Sequence, residues 1–252
     1  MLNKGSAWCV AALALALPVA RGGSVPDAAG PADSPPLGDV TFVALDTETT
    51  GLSPARDRVM EIAVRRFRGD QVLAERSWLI DPGVPIPPDV QRLTGITSNM
   101  VAGAPSFAQV FPDVREFLGD AVILVQNAPF DVRFLSAELA RHGLAAPTNA
   151  VLDSIPLFRA WFPHASRHSL AYLTQYLAIT NAQPHRAMSD TAALEAVYLC
   201  GVTNLPPPGT LDQLIRLAGG TRHLGAGAYA AHAGIGCRSM PQPLAPPPTS
   251  DQ

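Results

Sequence analysis

The sequence predicts an α/β fold in which helices cover a mixed β-sheet. Short apolar runs typical of strands alternate with segments of helical spacing, in the order three strands, helix, strand, helix, strand and three helices. Hydrophobic residues make up 47 % of the 252 residues, which is enough for a sizeable core and excludes a wholly disordered chain. A chain of this length fits one domain, with or without tails.

Five segments have the composition of strands. They are Thr41 to Leu45, Arg58 to Phe67, Gln71 to Ile80, Ala121 to Val125, and Val151-Leu152. The first and fourth are continuous apolar runs, which is typical of buried strands. The second and third are joined by Gly69-Asp70, and this pair predicts a hairpin turn.

The predicted helices follow from the spacing of apolar residues and from start and stop signals. They are Ser106 to Leu118, Pro129 to Arg141, and stretches near 154–161, 169–177 and 187–200. Gly119 and Gly143 follow the first two helices as stop signals, and Pro129 suits the first turn of the second.

We divide the chain into residues 1–38, 39–202 and 203–252. In the first part, residues 1–23 resemble a signal peptide or a disordered Ala-rich leader, and a Pro-rich linker follows. The middle part is the folded domain. The last part is a Pro/Gly/Ala-rich tail with one short helix from Leu211 to Ala218. The apolar run of the leader is short for a membrane span, so stable membrane insertion is not expected.

Composition excludes several kinds of chemistry. Lys4 is the only lysine and lies in the leader, which removes Schiff-base chemistry and the lysine of a phosphate-binding P-loop. Cys9, Cys200 and Cys237 lie far apart, so neither a thiolate zinc site nor a C-x-x-C motif is supported. A net charge of −3 argues against binding nucleic acid through bulk charge.

Carboxylates and one histidine stand at the ends of apolar elements. Asp46 and Glu48 are two residues apart at the end of the first strand, so they share a face. Asp131 is in the first turn of the helix from Pro129. His185 and Asp190 converge only if the histidine lies in the incoming loop and the aspartate in the first helical turn. Each residue alone has an ordinary explanation as a solvated acid, a helix-dipole partner or a surface histidine.

The combination predicts a shared cleft. Four carboxylates can hold two divalent ions about 3.5–4 Å apart, a spacing that suits displacement at phosphorus. Oxygen ligands of this kind suit Mg²⁺ or Mn²⁺. A histidine beside the attacking water is a suitable general base near neutral pH.

The segments resemble the motifs of the DEDD exonuclease superfamily, in its histidine-containing branch. The first motif resembles Leu45 to Leu52, the second Asn127 to Asp131, and the third His185 to Asp190. Three further segments agree in order: Leu93 to Thr97, Val151 to Ser154, and His168 to Leu170. The resemblance covers about residues 40–200. The branch includes the proofreading epsilon subunit of bacterial DNA polymerase III.

The resemblance implies an RNase H-like fold with a mixed five-stranded sheet and 3′→5′ release of nucleoside 5′-monophosphates. Asp46, Glu48, Asp131 and Asp190 would bind two Mg²⁺ or Mn²⁺ ions, and His185 would deprotonate the attacking water. The substrate strand would lie against Thr49, Leu52, Asn127 and Phe130, although helical spacing also makes Phe130 a core position. Many members have His-Asn where this chain has Gln126-Asn127, which affects positioning of the strand rather than the five central residues.

Three functions follow as expectations. The first is an exonuclease acting on single-stranded or frayed DNA 3′ ends in proofreading or repair. The second is an RNA-trimming enzyme of the same family, since no residue separates DNA from RNA preference. The third is a non-catalytic, polymerase-associated subunit that binds nucleic acid. A DNA polymerase subunit is a possible partner in each case, and cytoplasmic residence is predicted although the leader looks export-competent.

Other side chains have structural explanations. His164 and His168 have the spacing of a zinc pair, but Pro163 makes a continuous helix doubtful, so we interpret both as surface residues. Arg65, Arg66 and Arg68 fit either phosphate contacts or an exposed strand face. The run from Gln213 to Ile215 faintly resembles a sliding-clamp peptide, and an amphipathic helix turn explains it better.

Overall fold

The computed structural model describes residues 34–203 and 209–225. The predicted leader, most of the linker and the end of the tail lie outside the described residues, as do Cys9 and Cys237.

Five strands and eight helices follow a 3₁₀ turn at Leu37–Asp39 in the described part of the chain. They are β1 (Thr41–Thr49), β2 (Val59–Arg68), β3 (Gln71–Leu79), α1 (Pro88–Thr94), α2 (Ser98–Val101), α3 (Phe107–Leu118), β4 (Val122–Val125), α4 (Ala128–Arg141), β5 (Val151–Asp153), α5 (Ser154–Trp161), α6 (Leu170–Tyr176), α7 (Ala187–Val202) and α8 (Leu211–Leu217). Among these helices, none is both long and apolar enough to span a membrane.

The strands form one sheet in the order β3-β2-β1-β4-β5. Strand β1 pairs antiparallel with β2 and parallel with β4, and β4 pairs parallel with β5. This arrangement confirms the predicted mixed five-stranded sheet with flanking helices. Because β1, β4 and β5 run in the same direction, their carboxyl ends meet at one edge of the sheet, where α/β proteins usually bind ligands.

The local signals in the sequence place most elements correctly. Gly69 takes a φ of 55° in the β2–β3 turn, a conformation that glycine adopts without steric cost. Helix α3 begins after Ser106, which forms a capping box with Gln109. Helices α1 and α2 were not predicted, because both are short and carry too few apolar residues for a helical period.

Two hydrophobic layers pack against the two faces of the sheet, as the alternation of side chains along β1 requires. Val43 and Leu45 point into the layer that contains α3 and α4. Phe42 and Ala44 point into the opposite layer, which contains α5, α6, α7 and α8. The residues of β1 that follow Ala44 on this second face, at alternate positions, are Asp46 and Glu48.

Residues 209–225 pack onto the domain. Leu214 of α8 is fully buried in the α7 layer, so the amphipathic-helix interpretation is the one that the structure supports. Arg222 then pairs with Val151 of β5 through two backbone hydrogen bonds of 2.8 and 2.9 Å. Leu224 is buried in the α3–α4 layer. This segment therefore covers the β5 edge and contacts both hydrophobic layers.

We predict that Leu214→Ala lowers the free energy of unfolding by about 2–5 kcal/mol, because it leaves a cavity in a packed layer. Arg216→Ala, on the exposed side of the same helix, is the matched control and should change stability by less than about 0.5 kcal/mol. Urea unfolding followed by circular dichroism measures both. Equal stability of Leu214→Ala and the unmutated chain would show that residues 209–225 do not contribute to the domain.

Candidate active site

Strand β1 presents Asp46 and Glu48 on the α7 face of the sheet. Both side chains are half-buried. Leu45, which precedes them, and Thr47, which lies between them, are buried on the other face. The register of β1 against β2 shifts between Glu48 and Thr49, where β2 carries one extra residue, Met60, opposite the end of β1 immediately after the two carboxylates.

The first turn of α7 brings Asp190 to the same place. Asp46, Glu48 and Asp190 each offer a carboxylate oxygen, and these three atoms lie within 4.8 Å of one another. Asp190 is oriented by the Asn181 side-chain amide, which donates to its Oδ1 at 2.7 Å. The backbone N–H of His185 donates to its Oδ2 at 3.0 Å. Both oxygens of Asp190 are therefore held by the loop before α7.

Asp131 approaches from the α4 side of the sheet and is not part of this three-carboxylate cluster. It lies in the first turn of α4. That helix begins directly after Asn127, which has a φ of 59°. Its Oδ1 accepts hydrogen bonds from the Thr47 hydroxyl at 2.7 Å and from the Thr47 backbone N–H at 3.1 Å. Thr47 thereby ties the fourth predicted carboxylate to β1, between Asp46 and Glu48.

Burial raises the pKa of all four carboxylates, and the charges of neighbouring carboxylates add to the shift at Asp46 and Glu48. Burial, followed by the charge of Asp131, raises the pKa of Asp46 well above its ordinary value. Burial and the charge of Asp190 raise the pKa of Glu48 to about 8. Burial raises the pKa of Asp131 to about 7 although Thr47 donates to it, and burial also raises the pKa of Asp190. Like charges at this density require a compensating cation or bound protons.

His185 lies in the loop immediately before α7, as its spacing from Asp190 predicted. Its side chain is exposed, and its φ of 64° is unusual for a residue other than glycine. The hydrogen bond of 3.0 Å from its backbone N–H to Asp190 Oδ2 makes the two residues direct neighbours.

Sequence reasoning missed Glu61, Arg186 and Asn181. Glu61 lies on β2 opposite Glu48, is 1 % exposed, and forms an ion pair with Arg186. A glutamate inside the apolar run Val59 to Val64 is the signal that could have found it, because an acidic side chain is seldom fully buried unless it is paired. Nothing in the sequence singles out Asn181, since its contact with Asp190 depends on the fold of the loop.

The loop after β1 presents Leu52 to solvent, with 83 % of its surface exposed. The Thr49 hydroxyl donates to the Gly51 carbonyl at 2.6 Å, so it is used within the loop. A Cβ on Gly51 would lie 2.5 Å from the Asp57 carboxylate, which itself accepts from the Ser53 N–H at 2.8 Å. The absence of a side chain at position 51 therefore lets Asp57 close the loop beneath Leu52.

Gln126, the position at which the sequence departs from the second motif, joins three segments. Its side-chain amide donates to the His168 carbonyl at 3.0 Å, and its Oε1 accepts from the Ser154 hydroxyl at 2.5 Å. Next to it, Asn127 is exposed, whereas the ring of Phe130 is half-buried and packs 4.9 Å from Phe134. Phe130 thus borders both the core and the surface.

The remaining candidates have structural partners. Arg65 pairs with Glu75 and Glu195, Arg66 with Asp120 and two carbonyls, and Arg68 with the Thr41 hydroxyl. The His168 ring contacts the Phe162 carbonyl at 3.1 Å in a non-helical stretch. These contacts favour the structural interpretation over phosphate binding and over a zinc pair.

The donor set fits a hard divalent cation. All three clustered side chains are carboxylates, and burial and the charge of Asp190 raise the pKa of Glu48 although the charge of Arg186 lowers it. Mg²⁺ and Mn²⁺ prefer oxygen ligands of this kind. Asp131 lies close enough for its charge to act on Asp46, so it could contribute to the same centre.

Comparison with known proteins gives one consistent family. Residues 43–198 match the family model for the RNase T-type exonuclease domain. A PolC-type DNA polymerase III from Listeria innocua is 36 % identical over 157 residues, covering 62 % of this chain and 11 % of that protein. The chain thus spans about a ninth of the length of this curated relative.

Solved structures share the fold. Escherichia coli exonuclease I in complex with a dA16 oligonucleotide has a TM-score of 0.61 and 22 % identity, over 71 % of this chain and 42 % of that one. Exonuclease X in complex with 5′-overhanging duplex DNA has a TM-score of 0.54 and 23 % identity, over 70 % of this chain and 99 % of that one.

We predict that the metal-free protein loses stability as pH rises from about 5 to 9. The folded pKa of Glu48 is about 8 and that of Asp131 about 7, above the ordinary values of 4.5 and 3.8. The folded state therefore binds more protons than the unfolded state, and this contribution is lost as pH rises through the folded values. Melting temperature measured in EDTA at several pH values tests the trend.

Glu48→Gln should flatten this pH dependence because it removes one of the repelling charges. Glu116→Gln, at an exposed position on α3, is the control and should leave the slope unchanged. A melting temperature that rises with pH over this range in the unmutated protein would contradict the electrostatic account of the cluster.

Proposed function

This chain belongs to the exonuclease family and contains a 3′→5′ exonuclease domain, and we propose that it acts on the 3′ ends of DNA, releasing nucleoside 5′-monophosphates. The observation that carries the proposal is the convergence of Asp46, Glu48 and Asp190 within 4.8 Å, inside the segment that matches the family. A non-catalytic member would be expected to lack one of these ligands, and this chain has them all.

We assign two divalent ions, Mg²⁺ or Mn²⁺, to Asp46, Glu48, Asp131 and Asp190. When bound, such ions supply positive charge that stabilises a phosphorane-like transition state and lowers the pKa of water. The protein's own part is to shield the carboxylates from bulk water and to hold them in fixed orientations. The Thr47 hydroxyl orients Asp131 through a hydrogen bond, and the Asn181 amide orients Asp190 in the same way.

His185 is the general base in this proposal. Its position in the loop before α7 leaves the ring exposed toward solvent, where it can take a proton from the attacking water and pass it on. Asp190 accepts from the backbone N–H of His185 rather than from its ring, so the ring nitrogens stay available for this transfer.

The substrate strand would enter beside the loop after β1. Leu52, exposed on that loop, offers an apolar surface for the terminal base, while Thr49, Asn127 and Phe130 border the path toward the carboxylates. The exposed Asn127 side chain can donate hydrogen bonds to the strand, and the half-buried ring of Phe130 contributes packing.

DNA is the proposed substrate because the curated relatives are DNA polymerases and two structural neighbours were solved with DNA. The alternative, RNA trimming, has support in another structural neighbour, a 3′-exonuclease that recognises a histone mRNA stem-loop. Association with a polymerase subunit and cytoplasmic residence are further proposals, the first suggested by the PolC-type relatives.

We predict that the purified chain shortens 5′-labelled single-stranded DNA from its 3′ end in Mg²⁺ or Mn²⁺ and not in EDTA. Asp190→Asn should lower the rate by at least about 10²-fold, because it removes a charge that the metals require. Asp70→Asn, in the exposed β2–β3 turn, is the control and should retain full activity. Gel analysis of product ladders, with matching RNA in parallel, also decides between the two substrates.

An intact substrate in every lane, from protein shown to be folded, would overturn the proposal and favour a nucleic-acid-binding subunit. Loss of activity in Asp70→Asn as well would show that the effect of Asp190→Asn is not specific to the carboxylate cluster.

We further predict that Leu52→Ala raises KM for single-stranded DNA several-fold and leaves the melting temperature unchanged, since 83 % of the residue's surface is exposed. Leu73→Ala, at an exposed position on β3, is the matched control. Steady-state kinetics with a short oligonucleotide measures both. An unchanged KM for Leu52→Ala would remove this residue from the binding path.

A further inference from the structure

We propose that Glu61 is a positioning residue for the site, and that its ion pair with Arg186 sets the segment from His185 to Asp190 against β1. The inference deepens the proposed function and rests on it, because the segment that Glu61 holds carries the general base and one metal ligand of that proposal. Glu61 itself touches neither substrate nor metal in this account.

The contacts join β2 directly to the start of α7. Glu61 Oε1 accepts from the Arg186 guanidinium at 3.0 Å, and Oε2 accepts from the same guanidinium at 3.3 Å. Oε2 also accepts from the backbone N–H of Ala187 at 3.2 Å. Ala187 is the first residue of α7 and is fully buried. One carboxylate therefore fixes both the side chain and the backbone at the point where the helix begins, through a bidentate pair of restricted geometry.

The charge arrangement explains why the pair includes an arginine. Glu61 and Glu48 are direct partners across the antiparallel β1–β2 pair, so their side chains lie on the same face. Two carboxylates in this relation destabilise a sheet unless a cation offsets them. Arg186 supplies that cation to Glu61, and its charge also acts on Glu48. The ion pair with Arg186 therefore allows Glu61 to lie on the same sheet face as Asp46 and Glu48, while the carboxylates of Asp46 and Glu48 stay available to a metal.

The segment between the two anchors has an unusual backbone. His185 has a φ of 64°, a conformation that is strained for a residue with a side chain and persists only where the surroundings hold it. On its N-terminal side, Asn181 and Ser189 are hydrogen-bonded to each other, and Asn181 donates to Asp190. On its C-terminal side, Glu61 holds Arg186 and Ala187. Loss of Glu61 would free one of the two anchors.

The same two elements carry a second ion pair that serves as a matched control. Arg65 of β2 pairs with Glu195 of α7 on the same sheet face, and Glu195 is buried. It lies nine residues beyond Arg186, about 13 Å along the helix, and so is away from the carboxylate cluster. If Glu61 only joined β2 to α7, loss of either pair would have the same effect.

The experiment compares Glu61→Gln, Arg186→Gln and Glu195→Gln in the full chain, after melting temperatures establish that each is folded. Three quantities are measured: Mn²⁺ affinity by titration calorimetry, kcat and KM on single-stranded DNA, and amide hydrogen exchange of residues 185–190 without metal. We expect Glu61→Gln and Arg186→Gln each to weaken Mn²⁺ binding and to lower kcat by about 10- to 100-fold, with little change in KM. Both should speed exchange at 185–190, and Glu195→Gln should change none of the three.

Arg186→Gln separates positioning from charge. If Arg186 affected the site only through its positive charge, its removal would tighten Mn²⁺ binding, because one repelling charge would be lost. If the ion pair positions the segment from His185 to Asp190, its removal should weaken Mn²⁺ binding. Tighter binding in Arg186→Gln overturns the proposal. Equal effects of Glu195→Gln and Glu61→Gln also overturn it, since they would show only general attachment of the helix.

The design also distinguishes this inference from the proposed function. If the unmutated chain cleaves neither DNA nor RNA, the proposed function fails, and exchange at 185–190 still decides whether Glu61 holds the segment. If the unmutated chain cleaves DNA while the Glu61 and Arg186 variants keep its kcat, Mn²⁺ affinity and exchange rates, only the positioning role fails.

Discussion

Mutual repulsion of carboxylates at one edge of the sheet is the constraint on which the rest of the site depends. Asp46, Glu48 and Asp190 hold oxygens within 4.8 Å of one another, and Asp131 and Glu61 add their charges from either side. Without the packing of the surrounding elements, repulsion would move these carboxylates apart. The strands and helices that carry them are fixed by two buried hydrophobic layers, so the repulsion appears as raised pKa values rather than as unfolding.

Asp131, Asp190 and Glu61 are each held by a partner on a different element. Thr47 of β1 donates to Asp131 of α4, Asn181 of the preceding loop donates to Asp190 of α7, and Arg186 pairs with Glu61 of β2. The Thr47 contact joins α4 to the central strand β1, and the Arg186–Glu61 pair joins the start of α7 to the neighbouring strand β2. Function follows from this division, because the hydrophobic layers set where the elements lie and the polar partners set how each carboxylate points. A metal-dependent nuclease needs both.

Apolar runs, the helical spacing of apolar residues and turn signals were enough to predict the five strands, the mixed sheet and the helices from Ser106 onward. They failed for α1 and α2, which are short and mostly exposed, and they could not show that residues 222–225 cover the β5 edge. The four carboxylates and the histidine at the centre of the site could be named because they lie in recognisable motifs at the ends of strands and helices. They are Asp46, Glu48, Asp131, His185 and Asp190. Glu61 and Asn181 could not be named from the sequence, because only the fold brings them to their partners. Glu61 contacts Arg186, 125 residues away, and Asn181 contacts Asp190, 9 residues away.

The central claim is that the carboxylate cluster is a divalent-metal centre. Diffraction from crystals grown with Mn²⁺, recorded at a wavelength where manganese scatters anomalously, tests it most directly. The account predicts anomalous peaks about 2.1 Å from carboxylate oxygens of Asp46, Glu48 and Asp190, the distance expected for a small hard cation. Peaks only elsewhere on the surface, or none beside these residues at saturating Mn²⁺, would contradict it.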